Sequence, residues 1–182
     1  MKTLVIHPDD RTTDFLKEIY AGKGHTVITD RQTSATKLMN LVRAHDRIIM
    51  MGHGCSYGLL GMTNQFMYPR FIGALRRKEC IAIWCNADLY VKNTGIKGFY
   101  TGMFISEIYE AEYFRIKTTQ ENITYSNLLF TGLVKEYIDF PSKLLIELKN
   151  KYIGDCPVIR YNRDRLYYKS KVTSQRHYAY VV

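Results

Sequence analysis

The feature that most constrains this chain is the strict alternation of short apolar runs with helix-period segments over its first half. Thr3-Leu4-Val5-Ile6 is apolar and stops at His7-Pro8-Asp9-Asp10, where proline ends a strand and the aspartates favour a turn. Helical spacing follows from Thr13 to Tyr20 through Phe15, Leu16 and Ile19, and Gly22 and Gly24 close it. Thr26 to Thr29 is a second short strand, and Ser34 is the N-cap of a helix carrying Leu38, Leu41 and Val42. Arg47-Ile48-Ile49-Met50-Met51 is a third strand, continuously apolar after Arg47 as befits burial on both faces. Gly52-His53-Gly54 and a glycine-rich loop through Gly58 and Gly61 come next. Pro69 opens a helix over Arg70 to Lys78, and Cys80-Ile81-Ala82-Ile83-Trp84 is the fourth strand, with Cys85 at its end. Short links between such units imply parallel strands joined by right-handed crossovers, hence one α/β domain over residues 1–182.

The second half is less regular. Asn93 to Gly98 is expected as a loop, Gly102 to Ser106 as a fifth strand, and Ser106 as the cap of a helix through Glu107, Glu110 and Phe114. Tyr125 to Tyr137 has helical character, and Pro141 begins another helix closed near Gly154. Val158 to Tyr161 and Leu166 to Tyr168 flank Asn162-Arg163-Asp164 and suggest a hairpin that extends the sheet antiparallel.

Charge bounds the partners. The formal net charge of +9 admits a peptide, a protein or a small anionic ligand. The basic residues are spread out, apart from Arg76-Arg77-Lys78, and none accompanies a nucleic-acid-binding motif; a solvated basic surface explains them equally well. Cys55, Cys80, Cys85 and Cys156 form no C-x-x-C pair, so a zinc ribbon is not indicated. No apolar stretch approaches the ~20 residues that span a bilayer, and a strand begins straight after Met1-Lys2. A cytoplasmic setting with cysteines as thiols is therefore expected. No cofactor is implied, and oligomeric state is not legible.

In an open parallel sheet, ligands gather beyond the carboxyl ends of the strands. Three chemically active segments fall there: His7 to Asp10, His53-Gly54, and Cys85-Asn86-Ala87-Asp88. If strands three and four are neighbours, ~5 Å apart, His53 and Cys85 emerge at one edge. Cys85 would attack a carbonyl as thiolate, His53 would take its proton and later protonate the leaving amine, and the N–H groups of Gly54 and Cys85 would form an oxyanion hole. Asp9 or Asp10 could orient the imidazole if strand one lies beside strand three, and Asn86 and Asp88 are candidates for substrate contact. The plain alternatives are a small buried cysteine at a strand end and a histidine in a turn. Cys55, two residues past His53, is a competing thiol or a simple loop cysteine.

An apolar strand ending in His-Gly, a helix, and an apolar strand ending in Cys resemble the core of the caspase-like cysteine peptidases, the superfamily of caspases, gingipains and separase. The matching residues are Ile48 to Gly54 and Ile81 to Cys85, within about the first hundred residues. The resemblance implies a three-layer α/β sandwich on a mainly parallel, doubly wound sheet in caspase-like or flavodoxin-like order. It also implies a cysteine-dependent hydrolase of peptide or amide bonds, with His53 and Cys85 as the dyad. Asn86-Ala87-Asp88 stands where caspases carry Arg-Gly after the cysteine.

Two other functions remain open at this level. The same fold could serve as a non-catalytic ligand-binding or signalling module. Val5-Ile6-His7-Pro8-Asp9-Asp10 also resembles the His-Pro-Asp-Asp stretch of LmbE-like (PIG-L) zinc-dependent deacetylases, which would make His7 and Asp10 metal ligands and Asp9 a base. Arg11 replaces that family's next acidic residue, and His25, His45 and His177 form no completing pair.

Overall fold

A computed structural model describes residues 1–62 and 69–170. Strands β1 (Thr3–Ile6), β2 (Thr26–Ile28), β3 (Arg47–Met51), β6 (Glu79–Ile83), β7 (Gly98–Thr101) and β8 (Leu166–Lys169) form one sheet in the order β2-β1-β3-β6-β7-β8. All neighbours are parallel except β8, which runs antiparallel to β7. A two-stranded ribbon, β4 (Gly54–Cys55) with β5 (Gly58–Leu59), folds the glycine-rich loop back on itself.

Side-chain alternation along the central strands divides the interior in two. Leu4, Ile6, Ile48, Met50, Ala82 and Trp84 face helices α1 (Ala35–Ala44), α2 (Pro69–Leu75) and α3 (Ala87–Thr94). Val5, Ile49, Met51, Ile81 and Ile83 face the other way, onto a 3-10 helix (Arg11–Ile19), α5 (Gln120–Tyr137), α6 (Pro141–Lys151) and α7 (Pro157–Asp164). A short helix α4 (Ile108–Tyr113) lies between β7 and α5 in the chain. This is the three-layer sandwich expected, and it explains why β1 and β3 are apolar at successive positions: both of their faces are covered.

The departures have local causes. The first helix is a 3-10 helix that starts earlier than its apolar spacing suggests, because Asp10 caps it through Thr12 N–H at 3.1 Å. The fifth sheet strand is Gly98–Thr101, not Gly102 to Ser106. A Cβ at position 98 would stand 1.8 Å from the Cys80 carbonyl oxygen, so the close approach of β7 to β6 requires glycine. Phe104 and Ile105 are buried outside the ladder, so their apolarity reflects packing and not strand pairing. The expected loop at Asn93–Gly98 begins inside α3, which Gly95 closes with φ +72°. The expected hairpin at Asn162 is instead the end of α7. Pro157 occupies its first turn, and buried Asn162 bonds both Ile105 N–H and Ile105 C=O at 2.8 Å. Leu166–Lys169 does extend the sheet antiparallel. Helix α5 begins at Gln120, capped by Thr119, and Glu107 takes the N-cap place expected of Ser106. Among the described residues no helix is long and apolar enough to cross a membrane.

Candidate active site

Strands β3 and β6 are hydrogen-bonded neighbours, pairing Met51 with Ile83 at their carboxyl ends. Gly52 N–H continues the ladder by donating to Ile83 C=O at 3.0 Å, so His53 follows the last tie between the strands. On the β6 side the buried Thr101 hydroxyl holds both backbone polar groups of Trp84, accepting from its N–H at 3.1 Å and donating to its C=O at 2.9 Å. Cys85 comes next, and Asn86, at φ +65°, turns the chain sharply into α3. Asparagine tolerates that left-handed conformation better than most residues.

His53 and Cys85 both line one small cleft, walled also by Leu16, Ile83 and Phe104. Its volume, about 20 Å³, is enough for roughly one water molecule. They are not hydrogen-bonded to each other. The Cys85 thiol donates to Phe104 C=O at 3.4 Å and lies 3.8 Å from Glu110 Oε1. Burial, and then the Glu110 carboxylate, push the thiol pKa up to about 12. In this resting geometry Cys85 is a neutral thiol.

His53 has a defined partner. Its Nε2 lies 2.6 Å from Thr12 Oγ1, and Thr12 Oγ1 donates to Asp10 Oδ1 at 2.7 Å. Threonine has a single hydroxyl proton, so with that proton on Asp10 the imidazole is the donor at Nε2. A neutral ring then keeps its lone pair on Nδ1, the form a general base needs. Arg31 secures the far end of the chain, donating from Nη2 to Asp10 Oδ2 at 2.7 Å and from Nε to Asp9 C=O at 3.0 Å. The hydrogen bonds from Thr12 lead the causes that hold the Asp10 carboxyl at about 2, and Arg31 adds to them.

The remaining sequence candidates separate. Asp9 is exposed and pairs with Lys17 at 3.5 Å. Gly54 abuts Trp84, since a Cβ there would stand 2.0 Å from the indole Cδ1, and Trp84 Nε1 donates to Cys55 C=O at 3.2 Å. Asp88 lines a different cavity, with Lys92, Tyr100, Tyr167 and Lys169. Cys55 sits in the β4–β5 ribbon.

The residues proposed for zinc do not suit a metal. His7 is 1 % exposed, and both ring nitrogens are engaged, Nδ1 with Tyr20 Oη at 3.0 Å and Nε2 with Thr13 Oγ1 at 3.1 Å. Burial, and then Lys17, lower its pKa to about 4. Asp10 is committed to Thr12 and Arg31, and among the described residues no group of three His, Cys, Asp or Glu side chains could hold an ion. His177 lies outside the described residues.

Sequence alone does not point to Thr12, Arg31 or Glu110 at the site. Asp10-Arg11-Thr12 did carry a signal, an aspartate two residues before a hydroxyl at a helix start, and Glu107-Ile108-Tyr109-Glu110 has capping-box spacing. Arg31 carried none. Compared with protein-family models, curated proteins and solved structures, the chain matches none.

Proposed function

We propose that the chain is a cysteine-dependent hydrolase of peptide or amide bonds, with Cys85 as nucleophile and His53 as general base and acid. The observation that carries this reading is that an imidazole and a thiol follow the carboxyl ends of two adjacent parallel strands and line one cleft. The Asp10–Thr12 chain supports it further, because it leaves His53 Nδ1 as the basic nitrogen.

Reaction requires the thiol to leave Phe104 and Glu110 and turn toward His53. The Cys85 proton passes to the imidazole as sulfur bonds the scissile carbonyl carbon, and the carbonyl oxygen takes the negative charge. The N–H groups of Gly54 and Cys85 are the candidate donors to that oxygen. The imidazolium then gives its proton to the departing amine, leaving a thioester. His53 next draws a proton from water, which attacks the thioester and regenerates the thiol.

The test is a peptide library incubated with wild type, Cys85→Ala and His53→Ala, with products read by mass spectrometry. Cleavage by wild type that is absent from both variants is expected. Identical products from all three proteins, or none from any, would overturn the reading.

A further inference from the structure

Across the Asn86 turn from the dyad cleft lies a second cavity, of about 520 Å³. Asn86, Met103, Tyr109, Glu110, Tyr113 and Phe114 line it. Three of the six are aromatic, and one is a carboxylate whose residue is only 7 % exposed.

The two oxygens of Glu110 are used unequally. Oε2 accepts from Ser106 N–H at 2.7 Å, Glu107 N–H at 3.1 Å and Ser106 Oγ at 3.3 Å. Oε1 has the Cys85 thiol at 3.8 Å, a weak donor at long range. Among the described residues no lysine, arginine or histidine forms an ion pair with Glu110. A buried carboxylate without a counter-charge is costly, and supplying a cation relieves that cost.

The aromatic walls favour the same charge. Ring faces carry negative quadrupole potential and attract ammonium and guanidinium groups. Tyr113 and Phe114 meet edge to face at 5.0 Å, and Phe114 in turn contacts Tyr161 at 5.6 Å. Tyr161 already carries a guanidinium, with Arg165 lying 3.5 Å from its ring centre. This row of rings therefore accommodates a cation at Tyr161, and two of its members, Tyr113 and Phe114, line the cavity with Glu110.

We propose that the cavity is a specificity pocket for a cationic side chain, lysine or arginine, of a peptide substrate, seated against Glu110 Oε1 between the rings of Tyr109, Tyr113 and Phe114. The assignment of that side chain to the residue beside the scissile bond rests on the hydrolase reading. Glu110 touches both the pocket and Cys85, so a bound cation balances the negative charge that now faces the thiol. Substrate binding and thiol activation are thereby coupled.

Binding and turnover test the two readings separately. Nα-acetyl-arginine methylamide, its lysine counterpart and the uncharged citrulline methylamide are titrated by NMR into the 182-residue chain carrying Cys85→Ala. The arginine or lysine amide is expected to bind at least about tenfold more tightly than citrulline, the scale of a hydrogen bond to a charged group. Glu110→Gln keeps the oxygen that caps α4 and should erase that preference. Tyr113→Ala removes a ring that is 81 % exposed, and should weaken cation binding about threefold without disturbing the fold. Equal binding of citrulline and arginine, no binding of any amide, or indifference to both substitutions overturns the pocket. Cation-selective binding without amide turnover by wild type keeps the pocket and removes the hydrolase. Turnover with no preference for a cationic residue does the reverse.

Discussion

Strands β3 and β6 carry polar residues at both ends, and the two ends are treated differently. At the amino ends, Arg47 and Glu79 face each other across the ladder with nitrogen and oxygen 2.8 Å apart. The Arg47 side chain is 3 % exposed and also reaches Asp139, at its carboxylate and at its C=O, while Lys23 holds the same carboxylate at 2.7 Å. At the carboxyl ends, the imidazole of His53 spends one nitrogen on Thr12, and the neutral thiol of Cys85 rests against a carbonyl and the Glu110 carboxylate. The cavity at the amino edge, about 640 Å³, is larger than either cavity near Cys85, yet its Lys23, Arg47 and Asp139 are already paired with one another. His25 Nε2 at the amino edge is also buried without a hydrogen-bond partner, so neither volume nor unfilled bonding capacity separates the two edges; the carboxyl edge differs in placing an imidazole and a thiol on one cleft.

Substitution at each end should separate these roles. Cys85→Ala or His53→Ala is expected to lower amide hydrolysis by about 10,000-fold or more, with stability to urea changed by less than about 1 kcal/mol. Arg47→Ala should do the opposite. Removing a buried cation from its partners costs about 3 kcal/mol, read as a lower urea midpoint, with the turnover of the remaining folded protein unchanged.

A pair of histidines sharpens the contrast within one edge. His7 follows β1 and His53 follows β3, but His7 is buried with both nitrogens bonded. Its folded pKa, about 4, lies below the ordinary 6.5, so on acidification the unfolded chain takes up the proton first. This contribution is fully present above about pH 6.5 and is lost as pH falls toward 4, by up to about 3 kcal/mol. His7→Gln should flatten that part of the stability–pH profile.

The smaller effects concern the groups around His53 and Cys85. Thr12→Val removes the hydroxyl between His53 and Asp10, and should lower kcat about tenfold with KM little changed and an altered pH–rate profile. Glu110→Gln takes negative charge from beside Cys85. It should bring the thiol pKa down and speed iodoacetamide labelling of Cys85 about threefold at neutral pH.

The sequence carried the architecture where burial is regular. Apolar runs at β1, β3 and β6, separated by amphipathic helices, dictate parallel strands, and parallel pairing brings His53 and Cys85 to one edge. Legibility failed where apolar residues pack outside regular pairing, as at Phe104 and Ile105, or where a small residue serves a contact remote in sequence, as Gly98 does against Cys80. The hydrogen-bond chain from His53 to Asp10 depends on Thr12 meeting His53 across 41 positions, and the thiol's neighbour Glu110 lies 25 positions beyond Cys85. Neither meeting has a local signature. Sequence alone suggests that Cys85 reacts as a thiolate; burial, and then the Glu110 carboxylate beside it, make it a neutral thiol at rest, for which slow labelling is expected.

Covalent capture gives the most direct test of the proposed dyad. A library of peptidyl acyloxymethyl ketones, which alkylate a nucleophilic cysteine, is incubated with the wild-type protein and with His53→Ala, and the modified residue is mapped by mass spectrometry. The account predicts a thioether at Cys85, formed at least about 100-fold more slowly without His53. Capture at Cys55 or Cys156 in its place, no capture at all, or a Cys85 rate indifferent to His53 would contradict it.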